Sequence, residues 1–336
     1  MKNYSKTTKV IILFHLLSMV FILLGCGGGS SRDTDNKNSD IRNNISDEYY
    51  SDEKKLFPSK KTIILYDPQD MTKEKEVTIV TFKYNSKNLR IEENRITREY
   101  NTDKITFTLN TKISYDNQDR YIGAKSIQED FIPNQPKKTV HSHTKIKYKD
   151  DKIVEEYRYR EGVLFTKVIV TEWDGDKPTK RQAVFYSEDG EEKLITTEVI
   201  TYEGRDIIYS KVSGNGREGS EKYTTTIETD RVFDDKKMPD SNDFNHKYYT
   251  SCWSGTNNII SETVVTSYNS SSAKIKSINR TEQKLKYNED DMLIEKEEHR
   301  YDSSDVDLSL TKTTKAQDNS QDYVFRWKTT IEYVER

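Results

Sequence analysis

The sequence predicts an all-β protein: a large antiparallel up-and-down meander of hairpins, about 12 to 16 strands, curled into an open sheet or a barrel behind a disordered N-terminal tether. Three observations predict it. Apolar residues recur with a period of two through most of the chain. An aromatic residue followed by polar turn formers returns at spacings near thirty. The apolar share is only 32%, against roughly 45–50% with glycine counted in a typical globular chain. That supplies core for one face of a large sheet, and antiparallel sheets tolerate a wet second face.

The alternation is direct. Ile105, Phe107, Leu109, Ile113 and Tyr115 alternate with Thr106, Thr108, Asn110 and Ser114. Near the C-terminus, Tyr323, Phe325, Trp327, Ile331 and Tyr333 share one face, and Arg326, Lys328, Thr330 and Glu332 the other. Ile294 to Arg300 is charged enough to suggest a helix, but it follows a turn and reads as a strand with an exposed face.

The turn units are Tyr84–Leu89, Tyr115–Asp119, Tyr148–Ile153, Trp173–Asp176, Tyr202–Arg205, Phe233–Lys236, Tyr268–Ser271 and Tyr287–Asp290. Asn, Asp and Gly tolerate the left-handed geometry of tight hairpins. Each interval of about thirty residues fits two strands with a second turn at the far end, such as Asn101-Thr102-Asp103 or Glu161-Gly162. One β domain is expected over 59–336.

The N-terminus is of another kind. Lys2, Lys6 and Lys9 precede an apolar run from Val10 to Leu24, then Gly25-Cys26 and Gly27-Gly28-Gly29-Ser30-Ser31. A basic start, an apolar stretch and a small residue before a cut describe a secretory signal over 1–25, cleaved between Gly25 and Cys26. The run is shorter than the roughly 20 residues a membrane-spanning helix needs. A plain signal would use an Ala-x-Ala-like site. Residues 26–58 are rich in Gly, Ser, Asn, Asp and Lys, and read as a flexible spacer. Asp33 and Asp35 do not open a calcium loop, because Asn38 and Asn44 stand where that loop needs Gly and Glu.

Removing residues 1–25 takes three lysines from a net charge of −3 and leaves −6, spread without a basic stripe. Nucleic-acid binding is therefore not expected. Cys252 reads as a small hydrophobe beside Trp253. Gly214-Asn-Gly216-Arg-Glu-Gly219 matches a dinucleotide-binding pattern, but it leads to a strand and reads as a hairpin loop. His141-x-His143 puts two imidazoles on one strand face with no third metal ligand in view. Asp150-Asp151, Asp234-Asp235 and Asp290-Asp291 fall at turns. No catalytic residue, metal ligand or cofactor is assigned. A membrane-spanning barrel would need one continuously apolar face, and Lys, Glu and Thr on the second face argue against it.

Leu23-Leu24-Gly25-Cys26 resembles a bacterial lipobox. The resemblance implies a diacylglyceryl thioether on Cys26, usually followed by N-acylation. Gly27, where Asp favours inner-membrane retention in enteric bacteria, points to the outer membrane. The turn units resemble the Tyr-Asp repeats of wall-associated and toxin-encapsulating β-shells, with the consensus Gly mostly replaced. Residues 75–300 are also similar to Bacteroidota-type surface lipoproteins: Phe233-Asp-Asp-Lys-Lys-Met-Pro239 matches their turn with Phe for Tyr and Met for Asn, and Asn257-Asn258-Ile259-Ile260 and Lys286-Tyr287-Asn288 follow in order. This implies a surface lipoprotein and carries no active site.

The leading functional expectation is a membrane-anchored envelope lipoprotein with a non-enzymatic binding or structural role toward glycan, peptide or another envelope protein. One alternative is a periplasmic carrier of a lipid or other hydrophobic ligand, with a pocket lined by residues such as Phe325, Trp327 and Ile331. The other is a glycan hydrolase using carboxylates at the hairpin tips. The irregular stretch from Met238 to Gly255 is the expected functional loop.

Overall fold

The computed structural model describes residues 56–175, 177–204, 206–218, 221–237, 257–270, 274–307 and 323–335. Sixteen strands occupy nearly all of them. In chain order they are β1 (Leu56–Asp67), β2 (Asp70–Tyr84), β3 (Arg90–Glu99), β4 (Ile105–Tyr115), β5 (Tyr121–Asp130), β6 (Lys138–Lys149), β7 (Lys152–Arg160) and β8 (Val163–Asp174). There follow β9 (Lys177–Tyr186), β10 (Glu192–Glu203), β11 (Asp206–Glu218), β12 (Glu221–Lys237), β13 (Asn257–Ser270), β14 (Lys274–Tyr287), β15 (Leu293–Asp307) and β16 (Tyr323–Glu335). Each pairs antiparallel with the next, and β1 pairs with β16, from Leu56↔Glu335 to Leu65↔Trp327. The meander therefore closes into a barrel. Closure satisfies the backbone of the first and last strands and removes the free edges that invite aggregation.

The registers carry one face continuously around the ring. Its members include Val80, Val140, Val168, Leu194, Ile200, Val212, Tyr223, Ile227, Tyr268, Ile275 and Ile331, all buried. This is the inner wall. Lys112, Lys125, Lys145, Lys211 and Arg280 alternate with it and point outward, exposed. The charged segment 294–300 lies within β15, a strand.

The hairpins at one end share a construction. In three of them an Asx side chain accepts from the backbone N–H groups two and four residues on: Asn85 Oδ1 from Lys87 and Leu89, Asp116 Oδ1 from Gln118 and Arg120, Asn288 Oδ1 from Asp290 and Met292. The residue three on is left-handed in each: Asn88, Asp119 and Asp291, with φ near +60°. These are the short polar residues that tolerate that region. A bulge precedes the aromatic that opens six turns here: Tyr84, Tyr115, Tyr148, Trp173, Tyr202 and Tyr287. The expected turn unit Phe233–Lys236 is instead a bulged stretch inside β12, because Asp234 and Lys236 are held against β13.

One expectation is corrected. Gly214 and Gly216 lie inside β11, on the inner wall, not in a hairpin loop. The ring of Tyr223, opposite on β12, occupies the space a Cβ at Gly216 would fill. A strand glycine covered by a cross-strand aromatic keeps the ladder intact.

Candidate functional site

The aromatic turns form a belt around one rim. The hydroxyl of Tyr84 donates to the Pro58 carbonyl at 2.7 Å, Tyr115 to Arg90 at 2.9 Å and Tyr148 to Tyr121 at 2.5 Å. Tyr202 donates to Pro178 at 2.8 Å and Tyr333 to Leu293 at 2.9 Å. Three of these bonds run from one hairpin to the neighbouring one; Tyr84 ties its hairpin to the start of β1, and Tyr333 ties the end of β16 to the β14–β15 hairpin. A cation then bridges onward. Arg120 lies over the Tyr148 ring at 4.6 Å and donates to Asp151 at 2.7 Å. Lys152 lies over Trp173 and donates to the Gly175 carbonyl at 2.5 Å. Lys177 repeats this with Tyr202 and Gly204, and Lys236 with Tyr287 and Asp291.

One carboxylate of each acidic pair is thereby occupied, and Asp234-Asp235 lies within β12, not at a turn. Asp151 and Asp291 receive cations. Asp234 accepts from the Tyr287 hydroxyl and from the backbone N–H groups of Lys236 and Asn258. Burial, then the Asp234 carboxylate, raises the Tyr287 pKa. The tip carboxylates fasten hairpins to one another. β1 enters the barrel at this same rim, where Phe57 packs on Tyr84 with ring centroids 5.4 Å apart.

The inner wall carries lateral ion pairs. Arg181 Nε meets Glu198 at 2.5 Å and Arg158 Nε meets Glu156 at 2.6 Å, with all four side chains at most 18% exposed. Arg231–Glu262 at 2.7 Å and Lys296–Glu298 at 2.9 Å continue the pattern. On the same wall, a cavity of about 610 Å³ spans six consecutive strands, β15, β16, β1, β2, β3 and β4. Two register lines floor it. One reads Lys296, Thr329, Ile63, Thr78, Thr97, Phe107; the other reads Glu298, Trp327, Leu65, Glu76. Arg95 and Thr106 complete the lining. Phe325 stacks on Trp327 at 5.4 Å.

Of the three residues expected around a pocket, Trp327 lines the cavity and Phe325 backs it. Ile331 is buried further along the same face and is not part of the lining. Sequence reasoning did not find Glu76, Arg95, Lys296 or Glu298, which meet only because β1 and β16 join. His141 and His143 do share one face of β6, the outer one. His143 stacks flat on Tyr159 at 4.3 Å and 7°. Its pKa is lowered by burial and by Lys145 and Lys125. Two lysines beside the pair oppose a cation, and no group of three metal-ligating side chains occurs among the described residues. Gly25, Cys26, Cys252, Asp33, Asp35 and the stretch from Met238 to Gly255 lie outside the described residues.

The outer wall mixes charged side chains with exposed apolar ones such as Ile127, Ile195 and Val199. Lys112, Lys125, Lys145, Lys167, Lys180, Lys211, Arg280 and Lys328 sit on it, within eight different strands. Each would cost roughly 2–4 kcal/mol at a bilayer midplane. Several are paired across strands instead, as Lys167 with Glu155 at 3.1 Å and Lys211 with Glu228 at 2.7 Å.

Fold and wall chemistry define the class: a closed, sixteen-stranded antiparallel barrel with a charged outside and an amphipathic inside. No protein-family model and no curated protein sequence matches the chain. Among solved structures it is similar to a porin-like protein from Bacteroides uniformis ATCC 8492, at 12% identity, covering 82% of this chain and 98% of that one, with a TM-score of 0.35. The likeness is loose, and the fold rests on the chain's own hydrogen-bond ladder.

Proposed function

We propose that the protein is a lipid-anchored envelope β-barrel with a non-enzymatic binding or structural role, held through Cys26 and standing in water beside the membrane. The charged outer wall carries this reading, because it suits solvent and not acyl chains. The basic and apolar N-terminus ending in Gly25-Cys26 supplies the anchor. Two or more acyl chains hold a protein stably where one does not, at roughly 0.8 kcal/mol per buried CH₂. Outer membrane is favoured over inner by Gly27. Because β1 starts at the aromatic rim, the anchor joins the barrel on that side.

The test combines mass spectrometry with fractionation. The tryptic peptide Cys26–Arg32 from membranes is expected to carry a diacylglyceryl group. Replacing residues 1–26 with an ordinary cleavable secretory leader is expected to release a folded, soluble barrel. A leader-swapped chain that stays in the membrane fraction would overturn the reading. Protease shaving of intact cells then tells a surface-facing barrel from a periplasmic one.

A further inference from the structure

The inner-wall cavity is wide, amphipathic and unused by the staples that close the barrel. We propose that it binds a neutral oligosaccharide, laid across the strands from β16 to β4. This deepens the binding role proposed above and rests on it.

The lining separates the chemistries a sugar chain needs. Trp327 on β16 and Phe107 on β4 stand four strand spacings apart, roughly 19 Å along the wall, the reach of several linked rings. Sugar rings offer apolar C–H faces that stack on aromatics and hydroxyl edges that hydrogen-bond. Thr329 stands beside Trp327 on β16, Ile63, Thr78 and Thr97 follow on β1 to β3 between the two rings, and Thr106 lies beside Phe107. Each hydroxyl can donate and accept, as sugar hydroxyls do. Thr78 and Thr97 already bond to each other at 2.8 Å, which fixes their rotamers. Around the row stand Glu76, Glu298, Lys296 and Arg95, two charges of each sign. The Arg95 side chain is 42% exposed and reaches Glu93 only through a 3.4 Å contact. It has donors to give. The balance of sign gives no attraction to a polyanion or polycation.

Competing ligands fit less well. An acyl chain laid on this floor would strip water from four charges and four hydroxyls, and supply no hydrogen bond in return. A peptide adding as a strand needs a free sheet edge, and the closed ladder has none.

The experiment uses the full acylated chain in a detergent without sugar headgroups. It is titrated with maltohexaose, cellohexaose and chitohexaose, followed by tryptophan emission and calorimetry. At least one hexasaccharide is expected to bind, with shorter members of its series binding more weakly. Trp327→Ala and Phe107→Ala are each expected to weaken binding by about tenfold or more. Trp173→Phe, at the rim, is expected to leave affinity unchanged. Circular dichroism and denaturation midpoints confirm that each variant is folded. Absence of binding by all three hexasaccharides overturns the proposal, as does wild-type affinity in folded Trp327→Ala. Saturable palmitate binding that Trp327→Ala abolishes, without saccharide binding, overturns it in favour of an acyl carrier. Failure of the anchoring reading shows separately, as a missing acyl mass on Cys26, and leaves these titrations readable.

Discussion

Glu198→Leu is expected to be among the most damaging single changes in the barrel. Glu198 faces Arg181 on the inner wall at 2.5 Å, with side chains 18% and 12% exposed. The nearby carboxylate, with Tyr202 and Glu156 adding to it, holds the Arg181 pKa above its ordinary value despite burial. Arginine does not deprotonate at working pH, so removing Glu198 strands a guanidinium charge in the wall. One Arg181 donor, Nη1, already has no hydrogen-bond partner. Breaking a buried pair from one side typically costs about 3–5 kcal/mol, a large part of a margin of about 5–15 kcal/mol. The double variant Arg181→Met/Glu198→Leu removes both charges, keeps apolar volume, and is expected to recover most of that loss. The assay is urea denaturation followed by circular dichroism, with unfolding slopes compared across the cycle. A Glu198→Leu loss below about 1 kcal/mol would refute the reasoning. So would a double variant as unstable as the sum of the singles.

Three further outcomes follow from the same geometry. Tyr84→Phe removes the 2.7 Å bond to Pro58 from a side chain 8% exposed, and a loss of about 1–2 kcal/mol is expected in the same denaturation assay. Gly123→Ala would place a Cβ against the Thr144 carbonyl oxygen at a positive φ, with an expected cost of about 2 kcal/mol or more, or failure to fold. Hydrogen bonds from Lys147 and Tyr157, with Lys167 adding, hold the Glu155 carboxyl down to about 2, from an ordinary 4.5. A depressed pKa stabilises the fold above the ordinary value and loses that contribution as pH falls toward 2. Glu155→Gln should therefore be less stable than wild type at pH 6, with the gap closing between pH 4.5 and 2. A gap that persists at pH 2 would contradict the assignment.

The local parts of this structure were legible because their causes are local. The unit of one aromatic and a polar turn marks the rim hairpins, since the Asx caps at Asn85, Asp116 and Asn288 sit within four residues of the groups they bind. Period-two alternation gave the inner face of β4 and β16 directly. Closure was left open, because the pairing of Leu65 with Trp327 joins segments more than 250 residues apart. The cavity inherits that distance, and its charged members were hidden for a second reason. Arg95, Lys296 and Glu298 sit at inner positions where the alternation leads one to expect apolar residues. The staple carboxylates were visible at turns, but only neighbouring hairpins reveal what they hold. Gly216 looked like a turn former because its cover, Tyr223, lies on the next strand.

We propose that this barrel lives in water and is tied to the membrane only through Cys26. The most direct test is detergent-phase partition of the wild-type chain and of residues 27–336 secreted behind an ordinary leader. The wild type is expected to enter the detergent phase. Residues 27–336 are expected to stay in the aqueous phase, folded and β-rich. Partition of residues 27–336 into detergent, or aggregation unless detergent covers the outer wall, would contradict it.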